Sequence, residues 1–270
     1  MTFSSKFFKL ETNQYVGTLW LNRPEKLNSL NHEMWLDLPN ALNSLASDDV
    51  RAIVIAGVGP SFCVGIDLEG FSGQSPDLST AKGCIEQQKI TKLYQRAITA
   101  IADCPVPVIC AIHSHCLGAG VDLATACDIR LASKDSSFGV RETKIGIVAD
   151  VGTLQRLPGI IGAGHVAELA YTGKDISAQR AEQIGLVNHV YGSTEELLQA
   201  ANDMANEIAA NAPLAVRGTK LVLQQGENLT TEQSLLLNGW ITMASTLNSN
   251  DLKEAMTAFA QKRPPNFTGS

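Results

Sequence analysis

CPVPVICAIHSHCLGAGVDLATACDIRLASKDSSFGVRETKIGIVADVGTLQRLP, residues 104–158, is the stretch around which the chain is organised. Val106 to Ile112 is a short apolar run, rich in β-branched residues and opened by two prolines, the pattern of a buried strand. A small-residue turn, Leu117-Gly118-Ala119-Gly120, leads from it into Val121 to Ala126, where a helix is expected to start. The first N–H groups of a helix have no partner within it and lie at the positive end of its dipole. The junction is therefore suited to holding an oxygen that carries negative charge. Asp122 falls in the first turn of that helix, a second strand is expected over Asp128 to Ala132, and beyond it come Glu142 and Asp150. Three carboxylic acids thus stand in apolar company.

The chain has 270 residues, enough for one large domain or for a domain with a helical extension. A hydrophobic content of 44% suits a globular protein with a substantial buried surface, often an oligomer. The net charge is −6 and no dense Lys/Arg block occurs, which argues against nucleic acid as the main partner. No apolar run reaches the roughly 18 residues that a membrane span requires. Six cysteines, Cys63, Cys84, Cys104, Cys110, Cys116 and Cys127, form no Cys-x-x-Cys pair and are expected as free thiols. His113-Ser114-His115-Cys116 has no carboxylate or further Cys or His at ligand spacing nearby, so no metal is expected. Met1 to Leu10 carries neither a signal-peptide core nor an Arg-rich transit pattern, and Phe267 to Ser270 is not a Ser-Lys-Leu address. The expectation is a cytoplasmic, bacterial protein.

Upstream of the central stretch, Tyr15 to Leu21 alternates as a strand and Asn22 to Lys26 turns the chain out of it. Met34 to Leu45 has helical spacing, with Pro39 expected near its start or at a bend. Arg51 to Ala56 is expected as a buried strand, ended by Gly57 to Pro60. Ser61-Phe62-Cys63-Val64-Gly65-Ile66-Asp67-Leu68 follows as a glycine turn running into a short helix. The amide of Ile66, after a glycine, is free to face a ligand. Phe71 to Lys82 is expected as a mobile loop and Ile85 to Ala102 as a helix. Strand–helix alternation of this kind predicts a βαβ spiral with parallel sheet. After Pro158 helices dominate: Gly164 to Tyr171, Ala178 to Ile184, a long helix opened by Ser193-Thr194-Glu195-Glu196, another opened by Thr230-Thr231-Glu232-Gln233, and Asp251 to Gln261, with one short strand at Leu186 to Val190. Gly162-Ala163-Gly164-His165-Val166-Ala167 fits a dinucleotide fingerprint on paper, but it follows Leu157-Pro158-Gly159 rather than a strand, so a joint between helices is expected.

Two amide-bearing turns, at Ile66 and Ala119, together with acids in apolar surroundings, suggest a site that builds negative charge on a carbonyl oxygen. The segments Ser61 to Leu68, Gly118 to Leu123, Cys127 to Arg130 and Gly185 to Val190 closely resemble the enoyl-CoA hydratase/isomerase (crotonase) superfamily. The resemblance runs from Leu21-Asn22-Arg23-Pro24 to the last helix. It implies an α/β fold, a spiral of ββα units over residues 1–195 with a helical C-terminal trimerisation region over residues 196–270, assembled as a homotrimer or dimer of trimers. It implies an acyl-CoA thioester as substrate, with coenzyme A part of that substrate and no separate cofactor. The Ile66 and Ala119 N–H groups would hold the thioester oxygen, and Val64, Gly65, Ile66, Asp67, Leu68 and Ala119 would line the coenzyme A cleft. Hydratases of the superfamily usually carry Glu at the positions of both Asp122 and Glu142. The triple Asp122, Glu142, Asp150 instead resembles the Δ3,5-Δ2,4-dienoyl-CoA isomerases. That implies Glu142 as base at C2, Asp150 as acid at C6, and Asp122 as a group tuning the two. Alternatives are a 2-enoyl-CoA hydratase using Asp122 and Glu142, a non-catalytic binding protein on the same fold, and Asp150 as a helix N-cap.

Overall fold

The computed structural model describes residues 4–46, 49–69 and 76–270. Its frame is a six-stranded sheet in the order β1-β2-β3-β4-β6-β9. The strands are β1 (Phe8–Asn13), β2 (Val16–Leu21), β3 (Ala52–Gly57), β4 (Val108–Ile112), β6 (Ile129–Ser133) and β9 (His189–Tyr191). All neighbours run parallel except β1 and β2, a hairpin in which Phe8 faces Leu21. β1 is absent from the sequence reading because Lys9, Glu11, Thr12 and Asn13 dilute its apolar pattern, and as an edge strand it needs few apolar residues.

β3 lies mid-sheet and every residue of it is buried, so its two faces serve two layers. Ile53 and Ile55 join the larger core, which includes Met34, Trp35, Leu38 and Leu42 of α1 (His32–Leu45) and Ile98 and Ile101 of α2 (Ala81–Ala102). Ala52, Val54 and Ala56 face the other way. They meet α7 (Thr194–Ala209), which presents Leu197, Ala201, Ala205 and Ala209 at four-residue intervals. Three alanines in that stripe let the helix approach the sheet closely, so α7 forms its second cover layer.

α1 begins where Asn31 accepts the Met34 N–H at 2.9 Å. Pro39 is tolerated inside this helix rather than near its start; it lies on the partly exposed flank, beside the buried Leu38. α2 starts at Ala81, inside the expected loop; residues 71–75 of that loop lie outside the described residues. α3 (Ala119–Ala126) begins two residues earlier than the sequence suggests. A second, three-stranded sheet, β5 (His115–Leu117), β7 (Ser137–Gly139) and β8 (Ile176–Ser177), is not signalled by the sequence, because two- and three-residue strands carry no readable period. It sets the position of the site.

The chain then continues through α4 (Thr153–Ile160), α5 (Ala163–Thr172) and α6 (Ala178–Gln183), and after α7 through α8 (Pro213–Gly226), α9 (Thr231–Ser245) and α10 (Asn250–Gln261). Gly162 is the N-cap of α5, a joint between two helices, as expected. Thr230 and Gln233 close a reciprocal capping box at α9. At α7, Ser193 caps the Glu196 N–H, but the Glu196 carboxylate reaches Gly192 instead of Ser193. All six cysteines are free, and all but Cys84 are buried.

Candidate active site

The two amides anticipated from the glycine turns are brought together by strand-like pairing. Leu30 N–H donates to Gly65 O at 2.8 Å and Asp67 N–H donates to Leu30 O at 2.9 Å, so Leu30 bridges Ile66 as in a parallel ladder. In that geometry the N–H of Ile66 points away from Leu30. On the other side, Cys63 N–H donates to His115 O at 2.9 Å and Leu117 N–H to Cys63 O at 3.0 Å, which zips the turn onto β5. Gly118 (φ 51°, ψ −120°) then opens α3 with no side-chain cap, leaving the first amides of the helix unpaired.

Two glycines make this junction possible. Gly65 has φ 107°, and a Cβ there would stand 3.0 Å from Leu117 O and 3.5 Å from Ala119 N. A Cβ on Gly118 would stand 3.4 Å from Glu142 Oε1. The Ala119 amide, the Gly65–Ile66 turn and the Glu142 carboxylate therefore surround one small volume. Among the described hydrogen bonds, neither the Ile66 nor the Ala119 N–H donates to another group.

This volume belongs to a cavity of about 490 Å³, within the usual size of a small-molecule site. Val64, Ile66, Leu68, Ala119, Glu142 and Asp150 all line it. Asp67 does not: its carboxylate pairs with Arg23 at 2.6 Å, both side chains being largely buried. The residue clamps the turn from behind.

Glu142 opens a 3-10 turn (Glu142–Ile145) after β7, and that turn is fastened on both sides. Arg141 binds the Asp175 carboxylate through two nitrogens, and Thr143 Oγ1 donates to Ala170 O at 3.0 Å. Burial pushes the Glu142 carboxyl up to about 7, and the nearby Asp122 and Asp150 charges add to the rise. Its Oε2 is buried without a hydrogen-bond partner among the described residues.

Asp122 is completely buried and lies behind the cavity wall. Its Oδ1 accepts the Thr153 N–H at 2.6 Å and the Thr153 hydroxyl at 2.7 Å, so it binds the first turn of α4. Burial raises its carboxyl to about 6, opposed by the two Thr153 bonds and by Arg156. The formal N-cap of α4 is Gly152, so the structure gives Asp150 no capping role.

Asp150 lies on the loop between the 3-10 turn and α4 and lines the same cavity as the amides. As a whole residue it is exposed, since the cavity mouth is open, yet its carboxyl is raised above the usual range by burial. The crowding around the carboxyl itself governs its proton affinity, so the upward direction is the relevant one. Ile145, Ile147 and Val148 also line the cavity, at its lip, and are exposed in the single protomer. Burial thus raises both of the carboxyls that line the cavity.

Sequence reasoning missed the part of the wall that α1 and α2 supply. Trp35 of α1 and Tyr94 of α2 stack with ring centres 4.7 Å apart, and Tyr94 OH meets His32 Nδ1 at 3.0 Å. Trp35, Tyr94, Gln87 and Thr91 all line the cavity. The spacing of Gln87, Thr91 and Tyr94 on one helical face was the available signal. Among the described residues no group of three His, Cys, Asp or Glu is placed to hold a metal ion. His113 Nε2 meets Gly59 O at 2.9 Å, and His115 Nδ1 meets Ser114 Oγ at 2.7 Å.

Residues 11–270 match the model of a family described as enoyl-CoA hydratase/isomerase. The chain is 42% identical over 268 residues to the peroxisomal Delta(3,5)-Delta(2,4)-dienoyl-CoA isomerase of Arabidopsis thaliana, covering 97% of this chain and 96% of the relative. It is 38% identical over 269 residues to the mitochondrial protein of that name from Dictyostelium discoideum, covering 97% and 91%. The solved structure of an enoyl-CoA hydratase from Bacillus anthracis superposes with a TM-score of 0.90 at 31% identity, covering 98% of this chain and all of that one. The expectation of a cytoplasmic bacterial protein is overturned by relatives whose names place them in peroxisomes or mitochondria. No helix among the described residues is long and apolar enough to cross a membrane. With two free amides converging beside a buried carboxyl, and with matches of this extent, the chain belongs to the enoyl-CoA hydratase/isomerase family.

Proposed function

We propose that this protein converts a 3,5-dienoyl-CoA thioester into its 2,4-dienoyl isomer by moving a proton from C2 to C6. The observation that carries this reading is the division of the three acids. Glu142 and Asp150 line one cavity with Ile66 and Ala119, while Asp122 is outside that lining and holds Thr153 through Oδ1. The names of the Arabidopsis and Dictyostelium relatives support the same activity.

Ionised Glu142 takes a C2 proton, which is acidified by the thioester carbonyl. The electron pair spreads into a dienolate whose oxygen is held by the two amides, each such donor contributing about 3 kcal/mol to the transition state. Protonated Asp150 then delivers its proton to C6, leaving double bonds at C2 and C4. Glu142 now carries a proton and Asp150 has lost one, and exchange with water restores both. The acyl tail, by excluding water from the open mouth, pushes Asp150 further towards its protonated form.

A hydratase of this family needs two carboxylates on one water. Asp122 does not line the cavity and spends Oδ1 on Thr153, which disfavours that alternative. The acyl-CoA is substrate, and no separate cofactor enters the scheme. Assembly as a homotrimer or dimer of trimers through residues 196–270 is part of the proposal. It is supported by apolar side chains left on the outside of the C-terminal helices, among them Trp240 and Phe259, the latter 87% exposed. The test is incubation of a 3,5-dienoyl-CoA with the wild type and with Asp150→Asn. The variant should lose isomerisation by about a hundredfold or more; wild-type turnover in it would refute the shuttle.

A further inference from the structure

The acid assigned to C6 rides on a segment with little structure of its own. Residues 147–150 adopt no regular secondary structure, and glycines with positive φ flank the loop, Gly146 at 78° and Gly152 at 133°. Within the loop, Ile147 N–H is tied back to Glu142 O at 3.1 Å. The tether at Asp150 itself comes from a different layer. Gln95 of α2 donates from Nε2 to the Asp150 carbonyl at 2.7 Å.

One turn earlier on the same face of α2, Thr91 lies beside the Asp150 carboxyl and opposes its burial-driven rise. Two side chains four residues apart on a regular helix thus grip the backbone and the carboxyl of one loop residue. α2 is itself anchored: Ala97, Ile98 and Ile101 are buried in the main core. The helix can therefore transmit the rigidity of the core to a loop that lacks it.

We infer that Gln95 is a positioning residue for the proton-delivery step, fixing the Asp150 carbonyl so that the carboxyl stands over the far end of the acyl tail. This inference rests on the proposed isomerisation and adds to it a residue outside the three acids. Misplacing a reacting group by about an ångström can cost on the order of a hundredfold in rate, with little effect on binding.

Gln95→Leu and Gln95→Met remove the donor and keep comparable bulk. In both, kcat for a 3,5-dienoyl-CoA should fall roughly ten- to hundredfold while KM stays within about twofold. In heavy water, deuterium should still wash into C2 at the wild-type rate, because Glu142 and the two amides are untouched. Wild-type kcat in both variants would overturn the inference. So would a loss of C2 exchange in step with isomerisation, which would mark Gln95 as general support for the site. Asp150→Asn, run alongside, separates the two failures. If it isomerises at the wild-type rate, the shuttle itself is wrong whatever Gln95 does.

Discussion

Glu142 should make the protein less stable as it ionises, and the size of that effect follows from its surroundings. Burial raises its carboxyl from the ordinary 4.5 to about 7. At about 1.4 kcal/mol for each tenfold change in proton affinity, this corresponds to about 3 kcal/mol between the two protonation states. The folded state holds the proton more tightly than the unfolded chain. The stabilisation is therefore fully present below the ordinary carboxylate value and is lost as pH rises through about 7. Glu142→Gln removes the titration while keeping the shape. Urea unfolding of both proteins across this range gives the stability difference at each pH. The wild type should lose about 3 kcal/mol relative to the variant between about pH 4 and about pH 8, most of it between 4.5 and about 7, and the difference should be level beyond both ends. A difference that stays flat through the whole range would show that Glu142 titrates as an ordinary exposed acid. The desolvated base on which the proposed chemistry depends would then not exist.

Four further variants have expected outcomes. Asp122→Ala deletes both bonds to Thr153 and should cost about 1 to 2 kcal/mol in thermal unfolding; Asp122→Asn keeps an acceptor, removes a charge, and should lower the Glu142 midpoint below about 7 in the same urea series. Gly118→Ala places a Cβ 3.4 Å from Glu142 Oε1 at a residue with φ 51° and ψ −120°, so a loss of about 1 to 3 kcal/mol and a drop in kcat are expected, measured by calorimetry and by turnover. Lys220→Met removes the partner that Asp128 holds at 2.7 Å beneath β4, and should cost about 3 kcal/mol by urea unfolding while leaving KM unchanged, since neither residue lines the cavity.

The parallel strands and their glycine turns are legible in the chain because each is written in neighbouring residues. Val106 to Ile112 is apolar without interruption, so it has to be buried on both faces. Gly65 and Gly118 mark places where the backbone takes a conformation that other residues resist. The spacing of acids along residues 122–150 is equally visible, and so is the resemblance it carries.

Which acid faces which neighbour depends instead on residues far apart in sequence. Asp122 is withdrawn from the cavity by Thr153, 31 positions later, and the Asp150 loop is held by Gln95, 55 positions earlier. Asp67, adjacent in sequence to the amide of Ile66, is taken by Arg23 across the fold. Local pattern reports backbone geometry and the burial of one face, which are set by near neighbours. Proton affinity and side-chain direction are set by whatever packs against a group in space, and for these carboxyls only the folded chain brings those partners into place.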